Sequence, residues 1–173
     1  SDLNQQFVFP DEVNYKPNLK DAIFDLRQAT PAKEGNKTNG NELKISNHEY
    51  MTGGFSTIYM SRNRVRAWDE PSFTIQAGGR HAPIHPQAPK MQFVEQNKRI
   101  FVPEKEHLYR RLTVRECARI QTFPDDFEFK YVNITDGYKM VGNAVPVNLA
   151  FHLAKQIHSD LTVHMNEALL KLA

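Results

Sequence analysis

The stretch RRLTVRECARIQTFP, residues 110–124, contains both a start signal and a stop signal for a helix. Thr113 and Glu116 form the T-x-x-E pattern of a capping box, which satisfies free backbone amides at the start of a helix. Pro124 ends the helical pattern, because proline has no backbone N–H to donate. The pattern therefore predicts a helix over residues 113–121.

The predicted helix separates charged from apolar side chains. Arg111, Arg115 and Arg119 are spaced four apart, so we expect them along one side. The opposite face is then formed by Val114, Cys117, Ala118 and Gln121. Cys117 is predicted to be a small buried core residue rather than a nucleophile. As the only cysteine, it excludes a disulfide within the chain and a cysteine-based zinc site.

Charge is unevenly distributed along the chain. The net charge is only +2, yet residues 98–119 carry seven Lys/Arg against three Asp/Glu. A local basic surface on a nearly neutral protein indicates binding to a polyanion, and an ordinary solvated charged face is the alternative.

The sequence lacks a membrane span, a signal peptide and a helical pair of metal-binding histidines. No apolar run approaches the ~20 residues of a membrane span, and the N-terminus lacks the features of a signal peptide. We therefore expect a cytoplasmic protein without a membrane partner. His81 and His85 lie four apart in HAPIHP, but the prolines between them exclude a helical metal pair. We expect a loop there and no metal site.

Hydrophobic periodicity predicts two further helices and several short strands. Asn18 is suited to cap a helix that carries Ala22, Ile23 and Leu26. A long helix is predicted from about Val147, with an apolar stripe of Leu149, Ala150, Leu153, Ile157 and Leu161. Met165, Ala168, Leu169 and Leu172 continue that stripe or belong to another helix. Strands are predicted at QQFVFP, FSTIYM, PSFTIQA, MQFVEQ and RIFVP, which makes the middle of the chain irregular and β-rich.

Four arginines in the middle region are candidates for base recognition. Arg62, Arg64 and Arg66 alternate, so an extended segment projects all three to one side. Arg80 follows two glycines, which let a backbone approach a partner closely. The arginine fork matches the O6 and N7 acceptors of guanine, although phosphate contact or plain surface charge is the alternative.

The segment DGYKMVGNAVPVNLA, residues 136–150, is a candidate ligand site. Gly142 and Asn143 precede Pro146, which enters the last helix, so free backbone amides lie at a helix start. An ordinary helix entry is the alternative.

Together these segments resemble the C-terminal part of a bacterial DNA (cytosine-5) methyltransferase. RRLTVRECARIQTFPDDF resembles the ninth conserved motif of that family, and GYKMVGNAVPVNLA resembles the tenth. GGFSTIYMSRNRVRAWDEPSFTIQAGGRHAPIHPQAP resembles the target-recognition region of members that recognise GGCC. The resemblance runs at least from Lys16 to His158.

The resemblance implies an α+β fold. A small, irregular, β-rich target-recognition domain is expected, with C-terminal helices that complete the Rossmann-like α/β catalytic domain of a partner chain. The corresponding segments are an entry segment at 1–17, the recognition domain at 18–109, and the ninth and tenth motif region at 110–173.

The resemblance also assigns roles to residues. Ile58, Arg62, Arg64 and Arg80 would contact bases in the major groove, and Arg66 would contact a base or a phosphate. Asn143, Ala144 and Val145 would edge a pocket for S-adenosylmethionine that is shared with the partner chain. Arg111 and Arg115 would anchor the recognition domain through buried hydrogen bonds.

The catalytic motifs of the family are absent from these 173 residues. The family's catalytic cysteine lies in Pro-Cys-Gln, whereas Cys117 lies between Glu116 and Ala118; Glu-Asn-Val and Phe-x-Gly-x-Gly are also missing. The resemblance therefore implies the smaller subunit of a two-polypeptide enzyme that pairs with a larger catalytic subunit on GGCC-containing DNA, as part of a restriction-modification system. A fragment of a longer enzyme, a non-catalytic DNA-binding module and a protein scaffold are the alternatives.

Overall fold

The computed structural model describes residues 7–170, with side chains described through residue 163. Its contacts group the chain into two units, residues 16–144 and residues 1–15 with 145–173. This division by contacts falls after residues 15 and 144. The segment boundaries expected after residues 17 and 109 concern function, and they stay predictions.

The described chain combines helices with two very small sheets, which is an α+β fold. The helices are α1 Leu19–Ile23, α2 Val114–Ile120, α3 Ile134–Asn143 and α4 Val147–Leu170. The strands are β1 Thr30–Pro31, β2 Glu49–Tyr50, β3 Gln92–Glu95 and β4 Lys98–Ile100. Strands β1 and β2 pair in parallel, and β3 and β4 form an antiparallel hairpin. Single 3-10 turns occupy Glu34–Asn36, Gly40–Glu42, Tyr59–Ser61, Gly79–His81 and Glu106–Leu108.

Helix α2 begins at the predicted capping box. The Oγ1 atom of Thr113 accepts from the Glu116 amide at 3.0 Å, and Oε2 of Glu116 accepts from the Thr113 amide at 2.7 Å. The predicted face of Val114, Cys117 and Ala118 is fully buried. The predicted capping helix and its apolar face are therefore confirmed.

The predicted row of three arginines on one helical side is wrong. Arg111 precedes the cap, so it is not on the helix, and it lies in an isolated β-bridge with Ile84. Arg115 is completely buried, whereas Arg119 is partly exposed and paired with Asp125. Because α2 is buried nearly all round, spacing could not separate an outer from an inner face.

Two of the five predicted strands are confirmed. MQFVEQ and RIFVP supply β3 and β4, respectively. FSTIYM is wrong, because it folds into a turn that ends in the 3-10 turn Tyr59–Ser61. PSFTIQA is wrong as a strand, because this segment joins no ladder. The described part of QQFVFP, residues 7–10, forms no strand, and the first two residues of that segment lie outside the described range.

Two clusters of buried side chains make the core of residues 16–144. The larger one joins α1, α2 and α3 through residues that include Leu19, Ile23, Leu112, Val114, Cys117, Ile134, Tyr138 and Val141. The smaller one underlies the middle region and consists of Tyr59, Val65, Ile84, Ala88, Met91 and Tyr109. Phe55 and Phe101 pack against the smaller cluster, so this part of the chain is organised by aromatic packing rather than by a sheet.

The last helix, α4, starts at Val147 as predicted. Its exposed apolar residues include Val147, Leu149, Phe151, Ile157, Leu161 and Val163. The predicted second stripe from Met165 onward lies outside the described side chains. Across the described residues, no helix is both long and apolar enough to cross a membrane.

Candidate nucleic-acid interface

A tight turn at residues 56–61 presents an apolar side chain to solvent. The Met60 amide donates to the Ser56 carbonyl at 3.0 Å, and the Ser61 amide donates to the Ile58 carbonyl at 3.3 Å. Ile58, which the family resemblance assigns to base contact, is 78% exposed in this turn. An exposed apolar side chain held by a rigid turn suits contact with a base edge or a thymine methyl group.

Arg64 returns from the following segment onto the same turn. Its Nε donates to the Tyr59 carbonyl at 2.8 Å, and its Nη2 donates to the Ile58 carbonyl at 3.3 Å. The guanidinium carbon lies 4.8 Å from the centre of the Tyr59 ring. The side chain is therefore ordered while part of its fork still faces outward.

Arg62 and Arg80 are the least constrained members of the predicted set. Both are exposed, and neither side chain makes a hydrogen bond or ion pair within the described residues. Arg80 follows Gly79, where an added Cβ would lie 2.7 Å from Sδ of Met51 and 2.8 Å from a ring carbon of Tyr138. Only glycine permits this loop to rest so closely on the core.

Arg66 is partly exposed and bonds to other residues of the chain. Its Nη1 donates to Oε1 of Glu70 at 3.3 Å, and its guanidinium lies 4.2 Å from the centre of the Phe73 ring. The structure therefore brings Ile58 and Arg64 together in one turn and leaves Arg66 in a separate contact with Glu70 and Phe73.

Asn63 was not singled out by the sequence, yet it anchors the arginine segment. Its Oδ1 accepts from the Met91 amide at 2.9 Å, and its Nδ2 donates to the Val65 carbonyl at 2.6 Å. Val65 is buried and the Arg64 carbonyl accepts from the Ile84 amide at 3.0 Å. The sequence does contain one indication of this role, because Asn63 is an amide side chain between two arginines of the alternating segment.

Arg111 supports the backbone that enters the turn. Its Nη1 donates to the Gly53 carbonyl at 3.2 Å and its Nη2 to the Gly54 carbonyl at 2.9 Å. The guanidinium also lies 4.0 Å from the centre of the Phe55 ring. Arg111 is buried and therefore faces protein backbone rather than solvent.

Arg115 joins two loops from inside the core. It donates from Nε to the Ser46 carbonyl at 2.9 Å, from Nη1 to Pro124 at 3.1 Å and from Nη2 to Phe127 at 2.8 Å. Burial lowers the pKa of this guanidinium from its usual value. A completely buried cation that donates to several carbonyls is a structural anchor.

Within the core, Glu116 organises a buried polar network. Arg110 donates to its two carboxylate oxygens at 2.8 and 2.7 Å. His85 Nε2 lies 3.5 Å from Oε1 of Glu116, and burial lowers the pKa of this histidine to about 4 despite the nearby carboxylate. Sequence reasoning placed His85 in a loop but did not foresee its burial, because its partners come from a distant segment.

The predicted cofactor-contacting residues occupy the end of α3 and the segment after it. Asn143 is exposed, and its side chain makes no hydrogen bond to any residue that the structure describes. It borders an open cleft of about 530 Å³ that Val132 and Met140 also line. Ala144 is partly exposed, and Val145 is 58% exposed. The assignment of Asn143, Ala144 and Val145 to a cofactor pocket stays a prediction.

Cys117 is unsuited to nucleophilic chemistry. Its side chain has no exposed surface, and burial raises the pKa of the thiol well above its usual value. Since the thiolate is the reactive form, this residue is inert in the folded chain. Among the described residues, no group of His, Cys, Asp and Glu is arranged to hold a metal ion.

Comparisons with known proteins agree with these motifs. Residues 2–159 match the family model described as C-5 cytosine-specific DNA methylase. Type II methyltransferase M.MthTI of Methanothermobacter thermautotrophicus is 64% identical over 165 residues, which are 95% of this chain and 50% of the relative. M.FnuDI of Fusobacterium nucleatum is 55% identical over 92% of this chain and 46% of the relative. M.NgoPII of Neisseria gonorrhoeae is 54% identical over 92% and 48%, respectively.

The chain spans about half the length of these curated relatives. The family match nevertheless covers most of the chain, including the two helical motifs and the arginine segment that precedes them. This chain therefore belongs to the C-5 cytosine-specific DNA methylase family.

Proposed function

We propose that this chain is the target-recognition subunit of a DNA (cytosine-5) methyltransferase that modifies GGCC-containing DNA within a restriction-modification system. S-adenosylmethionine is the methyl donor. The observation that carries this division of labour is Cys117: the chain belongs to a cytosine methylase family, yet its single cysteine is fully buried. The nucleophile that attacks the flipped cytosine must then come from outside these residues.

A larger catalytic subunit with the Pro-Cys-Gln motif is the proposed source of that nucleophile. It also supplies the glutamate that supports the cytosine ring and most of the cofactor pocket. The exposed apolar side chains of α4, among them Phe151 and Ile157, are the surface that this subunit covers. Burying such side chains against a partner removes apolar area from water and stabilises the complex.

Sequence choice is assigned to the exposed turn and the arginines around it. Arg62 and Arg80 are exposed and have no hydrogen bond or ion pair to the residues that the structure describes, and Arg64 is held by bonds from Nε and Nη2 that leave Nη1 unused there. GGCC presents guanines on both strands, so several arginines have a guanine to bind in the major groove. Arg66, bound to Glu70 and Phe73, is assigned to phosphate contact or to support of the segment.

The cofactor site is proposed to lie between this chain and the catalytic subunit. Asn143, Ala144 and Val145 form its wall on this side. The free amide of Asn143 would bind a polar group of S-adenosylmethionine, while Ala144 and Val145 would contact its apolar parts. The bound cofactor supplies the activated methyl group, and these residues orient it.

Reconstitution tests the proposal. The chain is mixed with the part of M.MthTI that lies outside the region matched by this chain, and transfer of a labelled methyl group to GGCC duplexes is measured. Methylation is expected only in the mixture. Methylation by the isolated chain, or none in a mixture shown to associate, would refute the division of labour.

Arginine variants test the assignment of base recognition. Arg62→Ala and Arg80→Ala are each expected to lower affinity for a GGCC duplex relative to a scrambled duplex, by ~1–3 kcal/mol per bidentate contact. Lys33→Ala is the matched control, because it removes the same charge from a residue that is paired with Glu42. Equal losses in all three variants would indicate a general charge effect instead.

A non-catalytic DNA-binding module is the second candidate, favoured by the absence of an accessible cysteine in this chain. It predicts GGCC binding without methylation in any mixture. A protein scaffold predicts no GGCC preference at all.

A further inference from the structure

The guanidinium of Arg64 is fixed in one orientation by the turn that precedes it. Nε and Nη2 donate to the successive carbonyls of Tyr59 and Ile58, at 2.8 and 3.3 Å. The Tyr59 ring lies below, with its centre 4.8 Å from the guanidinium carbon. Two hydrogen bonds and one ring contact determine both the plane of the fork and the direction in which it points.

This arrangement uses one edge of the fork and leaves the other free. A guanidinium donates in parallel pairs, either from Nε and one terminal nitrogen or from its two terminal nitrogens. In Arg64 the carbonyls occupy the first pair. Within the described residues nothing accepts from Nη1, so the end pair, Nη1 with the second hydrogen of Nη2, is available. That pair has the geometry that binds O6 and N7 of guanine.

Tyr59 is itself held rigidly. Its side chain is buried, and its hydroxyl donates to the Ala82 carbonyl at 2.6 Å. Burial raises the pKa of this hydroxyl, so it stays a donor at neutral pH. Phe55 stacks on the ring with centroids 5.1 Å apart. The ring under Arg64 is therefore a fixed platform.

Arg62 lacks such support. It is exposed, and the described part of the chain offers its side chain neither a hydrogen bond nor an ion pair. A free arginine loses more conformational entropy than an ordered one when it binds. Preorganisation thus distinguishes two arginines that sequence spacing treats alike.

We infer that Tyr59 is a positioning residue for base recognition: it aims the end-on edge of Arg64 at one guanine of the recognition site. The inference rests on the proposed function, because it presupposes that this chain reads GGCC. It adds a residue that contacts no base itself and acts through Arg64 alone.

A double-mutant cycle tests the inference. Affinity of the full 173-residue chain is measured by fluorescence anisotropy for a GGCC duplex and for duplexes with one G·C pair replaced by A·T. The ratio of these affinities is the discrimination at that pair. Arg64→Ala is expected to lower it by roughly tenfold at one guanine. Tyr59→Phe, which removes the bond to Ala82, is expected to lower it by roughly threefold at the same guanine.

The last measurement of the cycle adds Tyr59→Phe to the Arg64→Ala variant. There Tyr59→Phe is expected to change discrimination no further, because the group that it positions is gone. A loss of discrimination that is equal with and without Arg64, or no loss at all, would overturn the inference.

Tyr109→Phe is the matched control. Tyr109 belongs to the same buried cluster, and its hydroxyl accepts from the Val102 amide at 3.1 Å, but the ring under Arg64 is that of Tyr59. Thermal unfolding of both tyrosine variants is followed in parallel. A loss of discrimination in Tyr109→Phe equal to that in Tyr59→Phe would indicate general loosening of the cluster and would contradict the positioning role.

Arg64→Lys supplies a measurement that leaves Tyr59 intact. An ammonium group has no second edge, so it cannot donate to the turn and to a guanine in the same way. We expect the discrimination of the alanine variant together with wild-type affinity for scrambled DNA. Retained discrimination in Arg64→Lys would overturn the inference. Absence of any GGCC preference in the wild-type chain would instead reject the proposed function, and the inference with it.

Discussion

Glu116 is a buried residue whose carboxylate takes part in several separate interactions. Its carboxylate caps α2 through the Thr113 amide and binds both terminal nitrogens of Arg110. It has no exposed surface. A buried ion pair of this kind contributes less through its own attraction than through the cost of leaving one partner alone.

Glu116→Gln is therefore expected to lower the free energy of unfolding by about 3–5 kcal/mol, because Arg110 would keep a buried charge without its partner. Chemical denaturation monitored by circular dichroism measures this. Glu42→Gln is the matched control: it removes the same charge from an exposed pair with Lys33, so we expect a change within about 1 kcal/mol. Similar losses in both variants would contradict the role of the buried pair.

His85 adds a pH dependence to the same network. Burial holds its pKa at about 4, whereas an unfolded histidine titrates near 6.5. Between these values the unfolded chain binds a proton that the native chain does not, so stability falls as pH drops from about 6.5 towards 4. The full effect of this one group is on the order of 3 kcal/mol.

Denaturation curves between pH 4 and pH 7 test this dependence. His85→Gln is expected to make the profile shallower, because its titration is removed while that of buried His48, whose pKa burial also lowers, remains. His107→Gln, at an exposed position, is the control and should retain the wild-type slope. Parallel profiles for wild type and His85→Gln would rule out His85 as the source.

At the scale of elements, α3 connects the proposed recognition loop to the proposed cofactor wall. A Cβ on Gly142 would lie 2.4 Å from the carbonyl carbon of Gln76 and 2.5 Å from the Ala77 amide nitrogen. Gly79, next to Arg80, rests on Tyr138 of the same helix. The loop that carries Arg80 is thus seated directly on the helix that ends at Asn143.

Gly142→Ala is expected to separate this loop from α3 and to destabilise the chain by about 1–3 kcal/mol, because backbone atoms cannot move aside as a flexible side chain can. Thermal unfolding and GGCC affinity both report the change. Gly54→Ala is the control, since an added Cβ there meets nothing within 4 Å. An unchanged melting temperature in Gly142→Ala would contradict the close packing.

The elements also show which features a sequence predicts and which it does not. The capping box at Thr113 was predictable because its two partners are three residues apart, and the hairpin strands β3 and β4 pair with each other locally. FSTIYM has the side chains of a strand, but its aromatic residues pack into the cluster around Tyr59, and the segment joins no ladder among the described residues. Strand β1 pairs with β2 across 19 positions, which no local pattern indicates.

In the candidate site, too, the sequence predicts some features and not others. Alternation identified Arg62, Arg64 and Arg66 as a set, but it could not separate a free side chain from one bound to a turn and one bound to Glu70. Those differences arise from backbone carbonyls and from a carboxylate whose orientation depends on the tertiary fold. Spacing therefore predicts which residues share a segment, and packing decides which of them are available to DNA.

For the whole molecule, the apolar side chains of α4 carry the proposed association with a catalytic subunit. Phe151→Lys and Ile157→Lys are expected to leave the stability of the chain nearly unchanged, because both side chains are already exposed, while weakening the association by tenfold or more. Titration calorimetry with the catalytic part of M.MthTI measures this. Ser159→Lys, an exposed polar position on the same helix, is the control. Unaltered binding in the two apolar variants would place the association elsewhere.

Bisulfite sequencing of plasmid DNA treated with a reconstituted pair, in which this chain carries Cys117→Ala, tests the central claim most directly. The account predicts 5-methylcytosine confined to GGCC sites at the level of the wild-type pair, because recognition resides here and the nucleophile does not. Loss of methylation in the Cys117→Ala pair while the chain stays folded, or methylation spread over sites without GGCC, would contradict it.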